Sequence, residues 1–241
     1  MSIVEIGEEL HSENKLATLS RQERGEQIAS LLLQWFEINK REFPWRPAKN
    51  PYQAAVAEIL LQKTSATNAR PIYEQFICSY PTVHDLAAAE PEALARLLRP
   101  LGIPRRALLI QELAKEVIAK YGGEFPDTEE QLRALPGLGP YGAGAVASQA
   151  FSRRAPMIDI NVMRIFGRIF SIPFSPRAGP PKRLREAVLE AMPRGDEARF
   201  NLALLDFGAL VCRRRDPRCA SCPLGRMCDY NLARHPEASP T

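Results

Sequence analysis

No run of about 18 apolar residues occurs in the 241-residue chain, so no membrane-spanning helix is expected. A secretory start is missing as well. Residues 1–24 are polar and acid-rich, without the basic start, apolar middle and small-residue cleavage site of a signal. They are expected to form a loosely ordered extension, and the protein to be cytoplasmic. Strong charge of one sign is lacking: 32 Lys and Arg against 28 Asp and Glu leave only +4. That balance neither requires nor excludes a nucleic acid. The five cysteines are an odd count, which without a secretion signal argues against a disulfide framework. No convincing period-two alternation appears, and no repeat at a fixed period.

What is present is helical periodicity almost throughout, which predicts an all-α fold of roughly ten helices. Ile28, Leu31, Leu32, Trp35 and Phe36 form one stripe over residues 25–39. A turn signal around Pro44, Pro47 and Pro51 precedes a helix over 52–68, with Tyr52, Val56, Ile59 and Leu60 facing in. Helices follow at 70–79, 83–88, 91–98 and 105–120, the last ended by Tyr121-Gly122-Gly123. Asp127 can cap the helix at 128–134, with Glu130 at capping-box spacing. Further helices fit 140–151, 161–170, 182–192 and 197–211, interrupted by a proline-rich loop at 171–181. Cys78 reads as a packed thiol on its helix. The polar end from about 231 is expected to fray.

Between two helices stands Leu135-Pro136-Gly137-Leu138-Gly139. Two glycines at i and i+2 allow backbone conformations that a Cβ forbids, and leave amides open at a helix N-terminus. Those amides and the positive end of the helix dipole make an anion site suited to a phosphodiester. The same residues also make a plain αα-turn. Asp159 lies between Ile158 and Ile160, just ahead of an amphipathic helix. It can be an N-cap. Facing a DNA-gripping hairpin, it can instead stabilise a cationic sugar or activate water as an N-glycosidic bond breaks. Cys212, Cys219, Cys222 and Cys228 form C-x6-C-x2-C-x5-C, four thiols within 17 residues, which points to a metal. Zinc and iron–sulfur both remain open at this point. Arg213, Arg214, Arg215 and Arg218 fall between the first two cysteines and suggest a rigid phosphate-binding knob. Asp206, inside an apolar helix, reads as a structural partner of a basic group.

Residues 135–151 (LPGLGPYGAGAVASQAF) followed by 157–170 (MIDINVMRIFGRIF) resemble the helix-hairpin-helix–Gly/Pro–Asp superfamily of DNA glycosylases, the group of endonuclease III and the MutY adenine glycosylase. The resemblance covers roughly residues 25–230. It implies two helical lobes: a six-helix barrel lobe with the hairpin at 44–153, and a discontinuous lobe at 25–43 and 154–230 with a cluster loop. Residues 1–24 and 231–241 are left as extension and tail. It implies that Asp159 is the catalytic carboxylate, supported by Asn161 as in the MutY-type D-x-N-V pattern. Residues 57–64 (AEILLQKT) are similar to the segment that supplies a second catalytic acid. Glu58 would then protonate the departing base, and Gln62, four residues on and on the same helix face, would plug the gap left by the flipped base. The cysteine spacing resembles the [4Fe–4S] loop of that branch, which favours iron–sulfur over zinc. Leu138, Gly137, Gly139, Arg213, Arg214 and Arg215 complete the expected DNA contacts.

Bifunctional members of the endonuclease III type carry a Lys where this chain has Tyr141. A phenol forms no Schiff base, so a monofunctional enzyme without lyase activity is expected. Lys63 is a conceivable substitute amine, but nothing in its position supports that role. Tyr141, with residues 98–102 and 201–207, is most similar to the Mig-type thymine–DNA mismatch glycosylases, which act on T or U opposite G. Tyr141 would then lie against the flipped pyrimidine. Alternatives are adenine removal in the MutY manner, 5-hydroxymethyluracil removal, and a non-catalytic DNA-binding module. Residues 103–106 (IPRR) depart from the family's usual loop, which bears on groove contacts. With the sequence ending soon after Cys228, no 8-oxoguanine-reading domain is expected. The partner implied is duplex DNA with a mispaired or damaged base, bound by a monomer on the nucleoid of a bacterium or archaeon.

Overall fold

The computed structural model describes residues 20–46, 48, 50–102 and 105–234. The expected extension over 1–19, the tail over 235–241 and loop positions 103–104 lie outside these. Among the described residues every regular element is helical, and none is long and apolar enough to cross a membrane. The chain divides into two compact units, residues 41–157 and residues 1–40 with 158–241.

The contiguous unit holds α2 (Pro51–Leu61), α3 (Ala66–Ser79), α4 (Val83–Ala87), α5 (Pro91–Leu98), α6 (Arg105–Tyr121), α7 (Glu129–Ala134) and α8 (Pro140–Phe151). Local chemistry sets most of their ends. Asn50 caps α2 by accepting from the Tyr52 and Gln53 amides, and Pro51 fills the first helical position. Thr82 and Asp85 form a capping box on α4. α6 stops at Tyr121 because Gly122 and Gly123 both take positive φ. Thr128, not Asp127, caps α7, accepting from the Gln131 amide; Asp127 pairs with Arg153 instead. α2 and α8 pack together, as do α4 and α6, around a core that includes Trp45, Ile59, Phe76, Ile110, Leu113 and Val146. Each such fully buried side chain contributes about 1.5–3 kcal/mol. Cys78 is exposed on the outer side of α3 rather than packed, because Tyr73 and Phe76 set that helix's inward face.

The other unit holds α1 (Arg21–Asn39), α9 (Ile160–Ile169), α10 (Lys182–Ala191), α11 (Glu197–Leu210) and α12 (Asp229–Arg234). α1 starts earlier than its apolar stripe suggests. Ser20 accepts from the Glu23 amide at 3.2 Å while the Glu23 carboxylate accepts from the Ser20 amide at 2.8 Å. This capping box extends the helix into residues read as extension. Ile28, Leu32 and Phe36 of α1 are buried, and Trp35 meets Phe207 of α11 edge-to-face with centroids 5.2 Å apart. Residues 229–234 are helical, so the expected fraying does not begin at 231, and Arg24 of α1 bonds Asp229 at 2.6 Å and the carbonyls of Ile169 and Met227.

Candidate active site and DNA-contact elements

The hairpin between α7 and α8 is built by one glycine with forced geometry and one with open space. Gly137 has φ +80°, and a Cβ there would stand 3.1 Å from Ile59 Cδ1. Gly139, the N-cap of α8, differs from expectation. Its φ of −79° suits any residue, and a Cβ would meet nothing within 4 Å. No side chain caps α8, and Pro140 occupies its first helical position. The helix therefore opens toward solvent with its dipole uncapped, and Gly139 keeps the approach clear. Leu138 was expected among the DNA contacts, but its side chain is 3% exposed and belongs to the core. An apolar residue between two glycines is drawn inward, and only its backbone remains for a ligand.

Glu58 is 9% exposed on α2. Its Cβ lies 3.6 Å from where a Cβ on Gly142 would stand, so it packs on the first turn of α8, which also carries half-buried Tyr141. Gln62 does not continue its helix face. α2 ends at Leu61, Gln62 has φ −58° and ψ 118°, and Lys63 is left-handed at φ +52°. The carbonyl of Gln62, which an unbroken helix would give to the amide of residue 66, is taken by Arg106 Nη2. Ser65 then starts α3 as its N-cap. The exposed Gln62 side chain donates to the Gly137 carbonyl at 2.8 Å, joining this turn to the hairpin.

In the other unit, Asp159 is the N-cap of α9, and both of its oxygens are occupied. Oδ1 accepts from the amides of Asn161 and Val162, each at 2.8 Å, and Oδ2 from Asn161 Nδ2 at 2.6 Å. Capping and a chemical role are compatible, because the cap bonds hold the carboxylate in one orientation. Asn161 Oδ1 accepts in turn from Arg164 Nη2 at 2.8 Å. Arg164, 9% exposed, also donates to the Gly208 carbonyl at 2.9 Å and the Cys212 carbonyl at 2.8 Å. Burial disfavours its charge, while Cys212 and Asp159 favour it. Gly208 makes the approach possible, since a Cβ there would lie 2.7 Å from Asn161 Cβ. Arg164 and Gly208 were missed in the sequence. Their only signal was a cation inside an apolar stripe and a glycine inside a helix.

Cys212, Cys219, Cys222 and Cys228 all line one half-open pocket with Arg168 and Tyr230, and none is in a disulfide. Arg168 closes one side, donating to Cys212 Sγ at 3.4 Å and the Arg213 carbonyl at 2.8 Å, with its guanidinium over the Tyr230 ring. Burial pushes the Cys222 thiol up to about 12, and the other three sulfurs add to it. No group of three His, Cys, Asp or Glu among the described residues is tight enough for a single ion. Four soft donors around one pocket are the donor set of a thiolate-held cluster, so the chemistry of the residues fits one. The arginine knob differs from expectation at Arg213, whose guanidinium folds onto the Asp216 carbonyl and carboxylate at 2.8 Å. Arg214, Arg215 and Arg218 are exposed.

Fold and site together define a class: an all-α protein with an uncapped glycine hairpin and an anchored N-cap carboxylate. Residues 56–193 match the model of the HhH-GPD superfamily base excision DNA repair proteins. The thymine/uracil-DNA glycosylase of Methanothermobacter thermautotrophicus is 34% identical over 204 residues, 84% of this chain and 92% of that protein. A thermostable thymine-DNA glycosylase structure superposes with a TM-score of 0.81 at 32% identity, covering 87% of this chain and 97% of that one. A non-covalent endonuclease III–DNA complex superposes at 0.75 and 26% identity, covering 90% and 99%. This chain belongs to the HhH-GPD superfamily of base excision DNA repair proteins.

Proposed function

We propose that the protein is a DNA glycosylase that flips T or U out of a mispair with G and hydrolyses its N-glycosidic bond, leaving an abasic site. The observation that carries the chemistry is Asp159, held by three donors with both oxygens oriented. The pyrimidine target rests on the likeness to thymine/uracil and thymine glycosylases. The open end of α8 and the exposed Arg214 and Arg215 bind phosphates without reading sequence. Flipping costs a few kcal/mol, and least at a mispair, and Gln62 fills the vacated stack. As the C1′–N bond breaks, Asp159 stabilises positive charge on the sugar and guides water to C1′. Glu58, directly or through water, gives the departing base its proton, and Tyr141 lies against that base. Tyr141 offers no amine, so the strand stays intact. One chain carries every residue named, so a monomer suffices, and its substrate puts its action on the nucleoid.

Cys212, Cys219, Cys222 and Cys228 would hold a [4Fe–4S] cluster through their thiolates. The cluster would supply a rigid tie for the 212–228 loop and a redox-active centre, and hydrolysis, being redox-neutral, needs no electron from it.

Single-turnover assays on T·G, U·G, A·G, A·8-oxoguanine and hydroxymethyluracil·G duplexes test the assignment. T·G and U·G should break only after alkali. Preference for A opposite 8-oxoguanine gives the adenine reading, and breaks without alkali or a borohydride-trapped adduct refute monofunctionality. Salt-sensitive duplex binding with no base release leaves only a binding module. The hairpin makes a separate prediction. Gly139→Ala should cost less than about 1 kcal/mol of stability yet weaken duplex binding roughly tenfold or more, about 1.4 kcal/mol. Gly137→Ala should lose stability as well, since φ +80° and Ile59 both oppose a side chain. Equal affinities for Gly139→Ala and the parent would remove the hairpin from DNA binding.

A further inference from the structure

Arg106 is 1% exposed, the largest of the fully buried side chains. It makes no ion pair among the described residues, and its Nε and Nη1 have no hydrogen-bond partner. An unpaired buried guanidinium opposes folding, and an apolar side chain of similar volume would serve the core better. Its charge therefore needs a reason other than stability. The one group it grips is the turn after α2: Nη2 donates to the Gln62 carbonyl and, at 3.2 Å, to Thr64 Oγ1. Thr64 Oγ1 itself donates to the same carbonyl at 3.3 Å. The grip ends α2 one residue before Gln62 and is followed by left-handed Lys63. The Gln62 side chain is thereby exposed and rests on the Gly137 carbonyl.

We propose that Arg106 is the positioning residue for strand penetration: from inside the fold it fixes the Gln62–Thr64 turn and aims the Gln62 amide outward, where it can leave Gly137 and enter the stack. This rests on the role of Gln62 under the proposed function. Unlike a core residue, Arg106 acts only on the step at which the nucleotide leaves the duplex. A charge with three unused N–H bonds, one on Nε and two on Nη1, is held by one carbonyl and one hydroxyl, so the turn has one anchored register.

The test compares Arg106→Lys, which keeps the charge but is shorter and lacks the Nη2 that reaches the Gln62 carbonyl and Thr64 Oγ1, with Thr64→Val and Gln62→Ala. On a paired T·G duplex, single-turnover excision should fall on the order of tenfold to a hundredfold for Arg106→Lys and less for Thr64→Val. The loss should vanish on a substrate whose target thymine faces an abasic site, where no pairing resists flipping. Adding Arg106→Lys to Gln62→Ala should slow excision no further. A loss that persists on the unpaired substrate, or that multiplies in the double variant, overturns the proposal. Fluorescence of 2-aminopurine beside the mispair reads unstacking without chemistry. The parent should raise it and Arg106→Lys should not; no rise with the parent overturns the proposal. A parent that unstacks and excises no base overturns the glycosylase reading and leaves the Arg106 role supported. If Arg106→Lys does not fold, Thr64→Val decides by the same two substrates.

Discussion

Asp159→Asn is expected to lower single-turnover excision by about 10³–10⁴-fold, some 4–5.5 kcal/mol of barrier, without losing the helix it caps. Asn and Asp cap helices equally well, so Oδ1 can still accept from the Asn161 and Val162 amides. The other oxygen is different. Arg164 can only donate, so it turns the Asn161 carbonyl toward itself and leaves the Asn161 NH2 facing Asp159 Oδ2. Asp159 must therefore accept on both oxygens, which an ionised carboxylate does and an amide does not. The Asn variant sets NH2 against NH2 and should lose about 1–3 kcal/mol of stability besides the rate. Asn161→Ala keeps the charge and loses only one support, so its rate should fall far less, on the order of tenfold. Thermal unfolding and duplex binding, measured beside the rates, separate the effects. Full activity in Asp159→Asn would remove the proposed centre.

The helical class and most apolar stripes were legible, because a 3.6-residue period is a property of neighbours along the chain. The failures share a cause. The Ser20–Glu23 capping box has the right residues, but their polar setting hid a helix start. The break after Leu61 was invisible because Arg106, 44 positions away, makes it. Cys78 was read as packed for lack of a view of which face of its helix turns inward. At the candidate site, Asp159 and the hairpin announce themselves in short motifs. Arg164 does not, since its meaning lies in the carbonyls of Gly208 and Cys212, 44 and 48 residues on. The short-range ion pair of Arg213 with Asp216 was within reach of the spacing, three residues apart on the same loop.

Cys222→Ala is expected to remove a visible iron–sulfur absorption band and lower the thermal midpoint by roughly 10 °C or more. At about 2–4 °C per kcal/mol for a chain of this size, that corresponds to several kcal/mol. The loop from Cys212 to Cys228 has little else to hold it. Its regular structure is two single turns, 219–221 and 225–227, and Leu224, Gly225 and Met227 are its only residues that are fully buried between the first and last cysteine. A tie made by bound metal is folding energy for such a segment. The consequence should reach chemistry, because the Cys212 carbonyl receives Arg164, which orients Asn161, which holds Asp159. Removing outer supports of this kind costs about 10–100-fold, so the variant should be slower even where it remains folded. Exposed Cys78 supplies the control, and Cys78→Ser should change neither colour nor midpoint. Purified protein with zinc and no iron would replace the cluster by a zinc site. A Cys222→Ala protein with parental metal content and midpoint would show that the four sulfurs gather without a shared ligand, and the loop would then need another source of order than its own sparse core.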